Sequence, residues 1–169
     1  MNIQERGNAM KKETPLVAIL MGSASDSETM EPARQILKDF GIACEVKVLS
    51  AHRTPDQTIS YAKKAKKKGI RVFIAGAGGA AHLPGIIAAE TLLPVIGVPI
   101  KSKSLNGLDS LLAIVQMPAG IPVATVAIDG AANAGLLAVQ MLALEFPNLF
   151  TKLEQYRKKL QDKVLKSNK

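Results

Sequence analysis

At 169 residues, 47% of them hydrophobic, the chain can bury one substantial core but hardly two, so a single domain is expected. A lone cysteine, Cys44, excludes an intramolecular disulfide framework and fits a reducing compartment, and no apolar run approaches the ~18 residues needed to span a bilayer. The formal charge of +8 does not mark a nucleic-acid binder: residues 14–150 carry 12 basic and 10 acidic side chains, residues 151–169 carry 7 and 2, and the absence of Trp leaves little for base stacking.

Residues 1–13 read as a flexible extension, and the sequence leaves open whether translation starts at Met1 or Met10. Lys11 and Lys12 before the apolar run 16-LVAILM-21 imitate a secretion signal, but the run holds only six residues, and Glu13 and Pro15 interrupt the approach. The segment serves better as a first strand, and the protein is expected in the cytoplasm with no membrane partner.

Residues 14–147 then read as one α/β domain in which a short apolar strand, a loop and a helix recur five times. Strands are expected at Leu16–Met21, Glu45–Leu49, Val72–Ala75, Val95–Pro99 and Val123–Ile128, each without clean polar alternation, as strands buried on both faces read. Helical patterns lie between them at about Ser27–Phe40, Pro55–Lys68, Leu83–Thr91, Asp109–Gln116 and Ala131–Phe146. Gly41 and Gly69 stand where helix C-caps belong, and Pro55 suits a first helical turn. The run 63-KKAKKK-68 closes the second helix, where cations favour the dipole, and reads as a solvated face. Such alternation predicts a parallel sheet covered on both faces, with right-handed crossovers.

The Ala-rich 131-AANAGLLAVQMLA-143 predicts close approach of its helix to the sheet or to another subunit. A last helix at about Asn148–Lys166, within the basic segment 148–169, carries Leu149, Leu153, Tyr156, Leu160 and Val164 on one stripe. A stripe of that kind must pack on something, and after five complete units a neighbouring subunit is the expected partner.

Ligands of open parallel sheets bind beyond the carboxyl ends of the strands, which directs attention to 22-GSASD-26, 50-SAHRTP-55 and 76-GAGGAAH-82. Gly76, Gly78 and Ala81 match the letters of the dinucleotide fingerprint, yet they follow the third strand instead of the first, and 96-IGVPIK-101, about 20 residues on, holds no acidic residue for a ribose. A dinucleotide is therefore not expected. Glycines there still let a backbone come close to a flat ligand and offer N–H groups near a helix start. In the first loop, the Ser23 and Ser25 hydroxyls and the helix N–H groups suit a phosphate, and Asp26 can accept from sugar hydroxyls. Ser25, Asp26 or Ser27 could equally N-cap the helix, and sequence does not separate the two uses. In the second loop, Arg53 can hold a phosphate or carboxylate in a bidentate fork and His52 can move a proton near neutrality. The other histidine, His82, lies at the same edge, either to meet a ligand or to bond the backbone at the helix start.

The strings 22-GSASDSETM-30, 50-SAHRTP-55, 75-AGAGGAAHLPG-85, 109-DSLLAIVQMPAGIPVAT-125 and 131-AANAGLLA-138 occur in one order. In them the chain resembles the class I PurE family, N5-carboxyaminoimidazole ribonucleotide mutases of purine biosynthesis, from about Val17 to Ala143. The resemblance implies a three-layer α/β/α, flavodoxin-like fold with a five-stranded parallel sheet and an extra C-terminal helix. It implies an isomerase that moves a carboxylate from the exocyclic nitrogen of a phosphoribosyl-imidazole to ring carbon 4, forming 4-carboxy-5-aminoimidazole ribonucleotide. No metal or organic cofactor is implied, and homo-octamers with sites near subunit contacts are. Ser23, Asp26 and Arg53 match the family's substrate-binding positions and His52 its catalytic histidine; Ser25, Ser50, Ala77, Gly78, Gly79, His82 and Leu83 complete the candidate site. Gly76, Gly78 and Gly79 are expected to bring backbone N–H groups to the migrating carboxylate. The family's last loop reads roughly A-I-G-x-A-G-A-x-N-A, and 127-AIDGAANA-134 is shorter around Asp129 and Gly130.

Three other readings stand beside this one. A class II enzyme would carboxylate aminoimidazole ribonucleotide directly with carbon dioxide; Arg53 and Thr29-Met30 look like class I, since class II members tend to carry Lys after the histidine. A non-enzymatic nucleotide-binding or receiver-like flavodoxin module would want acidic residues at the ends of strands one and three, and residues 16–22 and 72–79 have none. A basic RNA-associated protein would show salt-dependent RNA binding.

Overall fold

Residues 14–167 are described by the computed structural model, so the extension over residues 1–13, Met10 included, lies outside them. The first apolar run becomes strand β1 (Val17–Met21), buried at every residue. It is joined by β2 (Cys44–Val48), β3 (Val72–Gly78), β4 (Val95–Ile100) and β5 (Ala124–Thr125) in the order β2-β1-β3-β4-β5, with every pairing parallel. The chain steps outward to β2 and then returns past β1 to β3, so the order reverses between β1 and β3, and the crevice for a ligand opens there.

Helices α1 (Ser27–Asp39), α2 (Pro55–Ala65, extended by a 3₁₀ turn over Lys66–Lys68), α3 (Leu83–Glu90), α4 (Leu108–Val115), α5 (Ala131–Ala143) and α6 (Asn148–Lys166) complete the chain. Alternation along β1 shows how two layers form. Val17, Ile19 and Met21 pack with Met30 and Leu37 of α1 and with Ala134, Ala138 and Leu142 of α5. Ala18 and Leu20 pack on the opposite side with Tyr61 of α2, Ile87 of α3 and Ile114 of α4. A strand that buries both faces has no place for a polar alternate, which is why the sequence reads as an apolar run. The result is a three-layer α/β/α fold.

Gly41 and Gly69 take φ of 74° and 94° just past the ends of α1 and the Lys66–Lys68 turn, the left-handed caps expected of them. The small residues of α5 serve a close approach to α1: a side chain at Gly135 would stand 3.0 Å from the Ala33 carbonyl and from Ile36 Cβ.

Three expectations about strands need correction. β2 is not buried on both faces: it is the sheet edge, with Val46 and Val48 43% and 51% exposed. Tyr61 of α2 ties that edge by donating to Glu45 Oε2 at 2.6 Å. β5 is two residues long, not six, because the chain bends away after Thr125; the Val126 N–H still reaches the Gly97 carbonyl at 3.1 Å, and the Asp129 N–H reaches that of Pro99 at 2.8 Å. β3 runs on to Gly78, so Gly76 is a strand residue and not part of a loop.

Within α6, Leu149 and Leu153 are buried in the layer beneath α5, Tyr156 lies against Phe40 with ring centroids 5.8 Å apart, and Lys152 Nζ donates to the Phe40 carbonyl at 2.7 Å. The first half of the stripe thus covers its own chain. Beyond it, Leu160, Val164 and Leu165 are exposed.

Candidate active site

Loops leaving the carboxyl ends of β1, β2 and β3 meet over a cleft of about 430 Å³, within the ~300–1,000 Å³ usual for small-molecule sites. From β1 come Gly22, Ser23 and Asp26; from β2, Ser50, Ala51, His52 and Arg53. β3 supplies Ala77, Gly78, Gly79 and Ala81, with His82 and Leu83 opening α3. Every candidate site residue singled out in the sequence except Ser25 and Gly76 lines the cleft. A fourth wall, Ile100, Lys101 and Ser102 at the end of β4, went unread in the sequence. The polar run 101-KSKS-104 at a strand's carboxyl end was the signal that could have found it.

The first loop is a capped turn. Ser23 precedes the 3₁₀ turn Ala24–Asp26, and its Oγ accepts from the Ser25 N–H at 3.3 Å while its own N–H donates to Asp26 Oδ2 at 3.2 Å. Ser25 Oγ donates to Ser23 Oγ at 2.8 Å and stands 3.3 Å from Asp26 Oδ1. The capping residue is therefore Ser23, not Ser25, Asp26 or Ser27; Asp26 stands before α1 without a side-chain cap bond. Ser25 reaches the cleft only through these two neighbours, which it holds in place.

The second loop is closed by Thr54, whose N–H donates to the Ser50 carbonyl at 3.0 Å and whose Oγ1 accepts from the Ser50 N–H at 2.9 Å. Buried Thr58 follows with a bond from Oγ1 to the Thr54 carbonyl at 2.8 Å. On this support Arg53 bridges two strands: Nη2 donates to the Gly22 carbonyl at 2.6 Å and Nε to Ser50 Oγ at 3.3 Å. A guanidinium has five donors in a fixed fork, so donors remain for an anion lying over the first loop.

His52 Nε2 and His82 Nδ1 are 2.8 Å apart, with ring centroids at 4.9 Å and planes at 83°. Such a contact needs one ring as donor and the other as acceptor, so it exists only while at least one of the two nitrogens is unprotonated. His82 occupies the N-cap position of α3 yet makes no cap bond. Of its two expected uses, bonding the backbone is thus set aside in favour of the histidine opposite.

Among the glycines, Gly76 does not face the cleft. A side chain there would run into Met30 and Ile100 in the layer beneath α1, so glycine serves packing at that point. Gly78 is exposed beside the cleft, and Gly79 takes φ of 64° with open space where a side chain would stand, so conformation and not crowding favours glycine.

The shortened loop before α5 also has a use. Asp129, with φ of 55°, accepts the Lys101 N–H on Oδ1 at 2.9 Å, while Ser102 Oγ donates to Asp109 Oδ1 at 2.7 Å and holds that carboxyl below its ordinary value. The β4 wall is thereby pinned at two successive residues. Among the described residues no helix is long and apolar enough to cross a membrane, and no group of three His, Cys, Asp or Glu side chains could hold a metal.

The family model described as AIR carboxylase matches residues 16–163. The N5-carboxyaminoimidazole ribonucleotide mutase of Pyrococcus horikoshii is 62% identical over 156 residues, covering 92% of this chain and 88% of that protein. The protein of the same name from Bacillus subtilis is 58% identical over 156 residues, covering 91% and 96%. The crystal structure of Treponema denticola PurE superposes with a TM-score of 0.82 at 31% identity, covering 90% of this chain and 95% of that one. Matched over most of its length by the family model and by relatives more than half identical, the chain belongs to the AIR carboxylase family.

Proposed function

We propose that the chain is an N5-carboxyaminoimidazole ribonucleotide mutase of purine biosynthesis. The observation that carries this reading is the convergence of Arg53, His52 and the Gly78–Gly79 backbone on one cleft, in a chain 62% and 58% identical to two mutases. Arg53 and the Ser23 loop hold the ribose phosphate, and Asp26 accepts from the ribose hydroxyls. Ser25 and Ser50 support these groups, and Ala77 and Leu83 wall the imidazole. Backbone N–H groups at Gly78 and Gly79 receive the carboxylate.

The reaction balances with one proton and no added reagent. The bond from the exocyclic nitrogen to the carboxyl carbon breaks as that nitrogen takes a proton, leaving aminoimidazole ribonucleotide and carbon dioxide in the cleft. Carbon 4 then attacks carbon dioxide, and the proton it carried is removed. His52 serves as the proton's donor and then its acceptor, with His82 orienting the ring through the bond at 2.8 Å. Trapping carbon dioxide beside its acceptor turns a bimolecular step into an intramolecular one, an effect that reaches about 7–11 kcal/mol at best. An acid–base group and a closed pocket suffice for these steps, so no metal or organic cofactor is assigned.

The protein acts as a homo-oligomer, an octamer on the family pattern, in the cytoplasm. The exposed Leu160, Val164 and Leu165 support self-association. The alternative, direct carboxylation of aminoimidazole ribonucleotide, is separated by assaying purified protein with each ribonucleotide. Turnover of the carbamate independent of bicarbonate is expected; turnover only of aminoimidazole ribonucleotide with added carbon dioxide would replace the mutase with the carboxylase.

A further inference from the structure

We propose that Lys101 is a second anion-binding side chain of the cleft and holds the substrate's carboxylate while Arg53 holds its phosphate; this rests on the mutase reading above. Among the described residues the cleft is lined by one arginine and one lysine, on loops that leave different strands of the sheet. In the order β2-β1-β3-β4, three inter-strand steps separate the strand leading to Arg53 from the strand leading to Lys101. At ~4.8 Å a step that is about 14 Å. A phosphoribosyl-imidazole carboxylate is likewise anionic at both ends, with phosphate on the ribose and carboxylate on the imidazole. Arg53 is committed to one end by its bonds to the Gly22 carbonyl and Ser50 Oγ.

Lys101 is placed for the other. Gly78 and Ile100 are partners in the β3–β4 ladder, so Lys101 continues alongside Gly79, next to the backbone that receives the carboxylate. Its own backbone is pinned by the Asp129 carboxylate at 2.9 Å, and the following residue is pinned by Asp109 at 2.7 Å. Its side chain is exposed and, among the described residues, is in no ion pair. A fixed backbone carrying a free ammonium also fits the chemistry. The carboxylate moves from an exocyclic nitrogen to carbon 4, and a point charge on a flexible four-carbon stem can follow it where rigid N–H groups cannot.

The test measures binding of two ribonucleotides to wild type, Lys101→Met and Lys101→Arg, with kinetics on the carbamate. Lys101→Met is expected to weaken binding of 4-carboxy-5-aminoimidazole ribonucleotide about tenfold or more and to leave aminoimidazole ribonucleotide, which lacks the carboxylate, within about twofold. Lys101→Arg should restore most of the loss. Because the carboxylate is held in both ground states, KM should rise more than kcat falls. Equal weakening of both ligands would assign Lys101 to the phosphate or to support of the wall, and unchanged binding of both would remove it from the site; either overturns the proposal. A wild type that binds both ribonucleotides but does not isomerise the carbamate would instead count against the mutase reading alone.

Discussion

His52 and Arg53 are neighbours in the chain with different commitments. Arg53 is fixed by backbone and hydroxyl acceptors within its own and the adjacent loop, whereas His52 is fixed by a ring 30 residues away. Positioned acid–base groups typically contribute ~10²–10⁴-fold, so His52→Asn should lower kcat by about that factor. The ring is exposed and its partner His82 is exposed too, so the denaturation midpoint should stay near that of wild type. A variant that folds and retains near wild-type kcat would remove His52 from proton transfer. Chemical type at each of these positions was legible because nearly all reactive side chains of the core crowd at one sheet edge. The partnership was not: nothing in 50-SAHRTP-55 or 75-AGAGGAAHLPG-85 says that one imidazole meets the other, and the cap, expected at Ser25, Asp26 or Ser27, is Ser23.

At the scale of elements, the glycines after Val72 divide by how far along β3 they stand. Gly76 and Gly78, two residues apart, share a face of β3, but Gly76 lies within the strand and abuts Met30, while Gly78, its last residue, reaches the rim of the cleft. Gly76→Ala should therefore destabilise by about 1–3 kcal/mol through overpacking, read as a lower urea midpoint at unchanged slope. Stability equal to wild type would show that Met30 and Ile100 give way freely. The sequence placed these glycines near the site but could not divide them, because the end of β3 depends on how far β4 runs beside it. β2 and β5 teach the same lesson. Apolar residues suggested full burial and full length, yet position at the sheet edge exposes Val46 and Val48, and β5 ends at Thr125, where the chain bends away.

For the molecule as a whole, α6 divides between two duties. Leu149 and Leu153 complete the layer beneath α5, but Leu160, Val164 and Leu165 are 49%, 63% and 57% exposed. An exposed apolar end on a helix otherwise rich in lysine is expected to meet another copy of the chain. In sedimentation velocity the wild type should run as an oligomer, and Leu160→Glu combined with Val164→Glu should shift it to smaller species while leaving the monomer folded. A wild type that sediments as a monomer across micromolar concentrations would contradict self-association.

By itself the sequence determined the alternation of strands and helices, the parallel sheet and the edge that carries the chemistry. Those follow from local patterns: apolar runs too short for helices, glycine caps, and reactive residues placed just after strands. Only the tertiary structure decided which strand lies at the edge, that His52 meets His82, that Asp129 pins Lys101, and which glycine faces the cleft. Each of these depends on the distance between residues far apart in the chain, and spacing along a sequence does not encode that distance until the strands are ordered side by side.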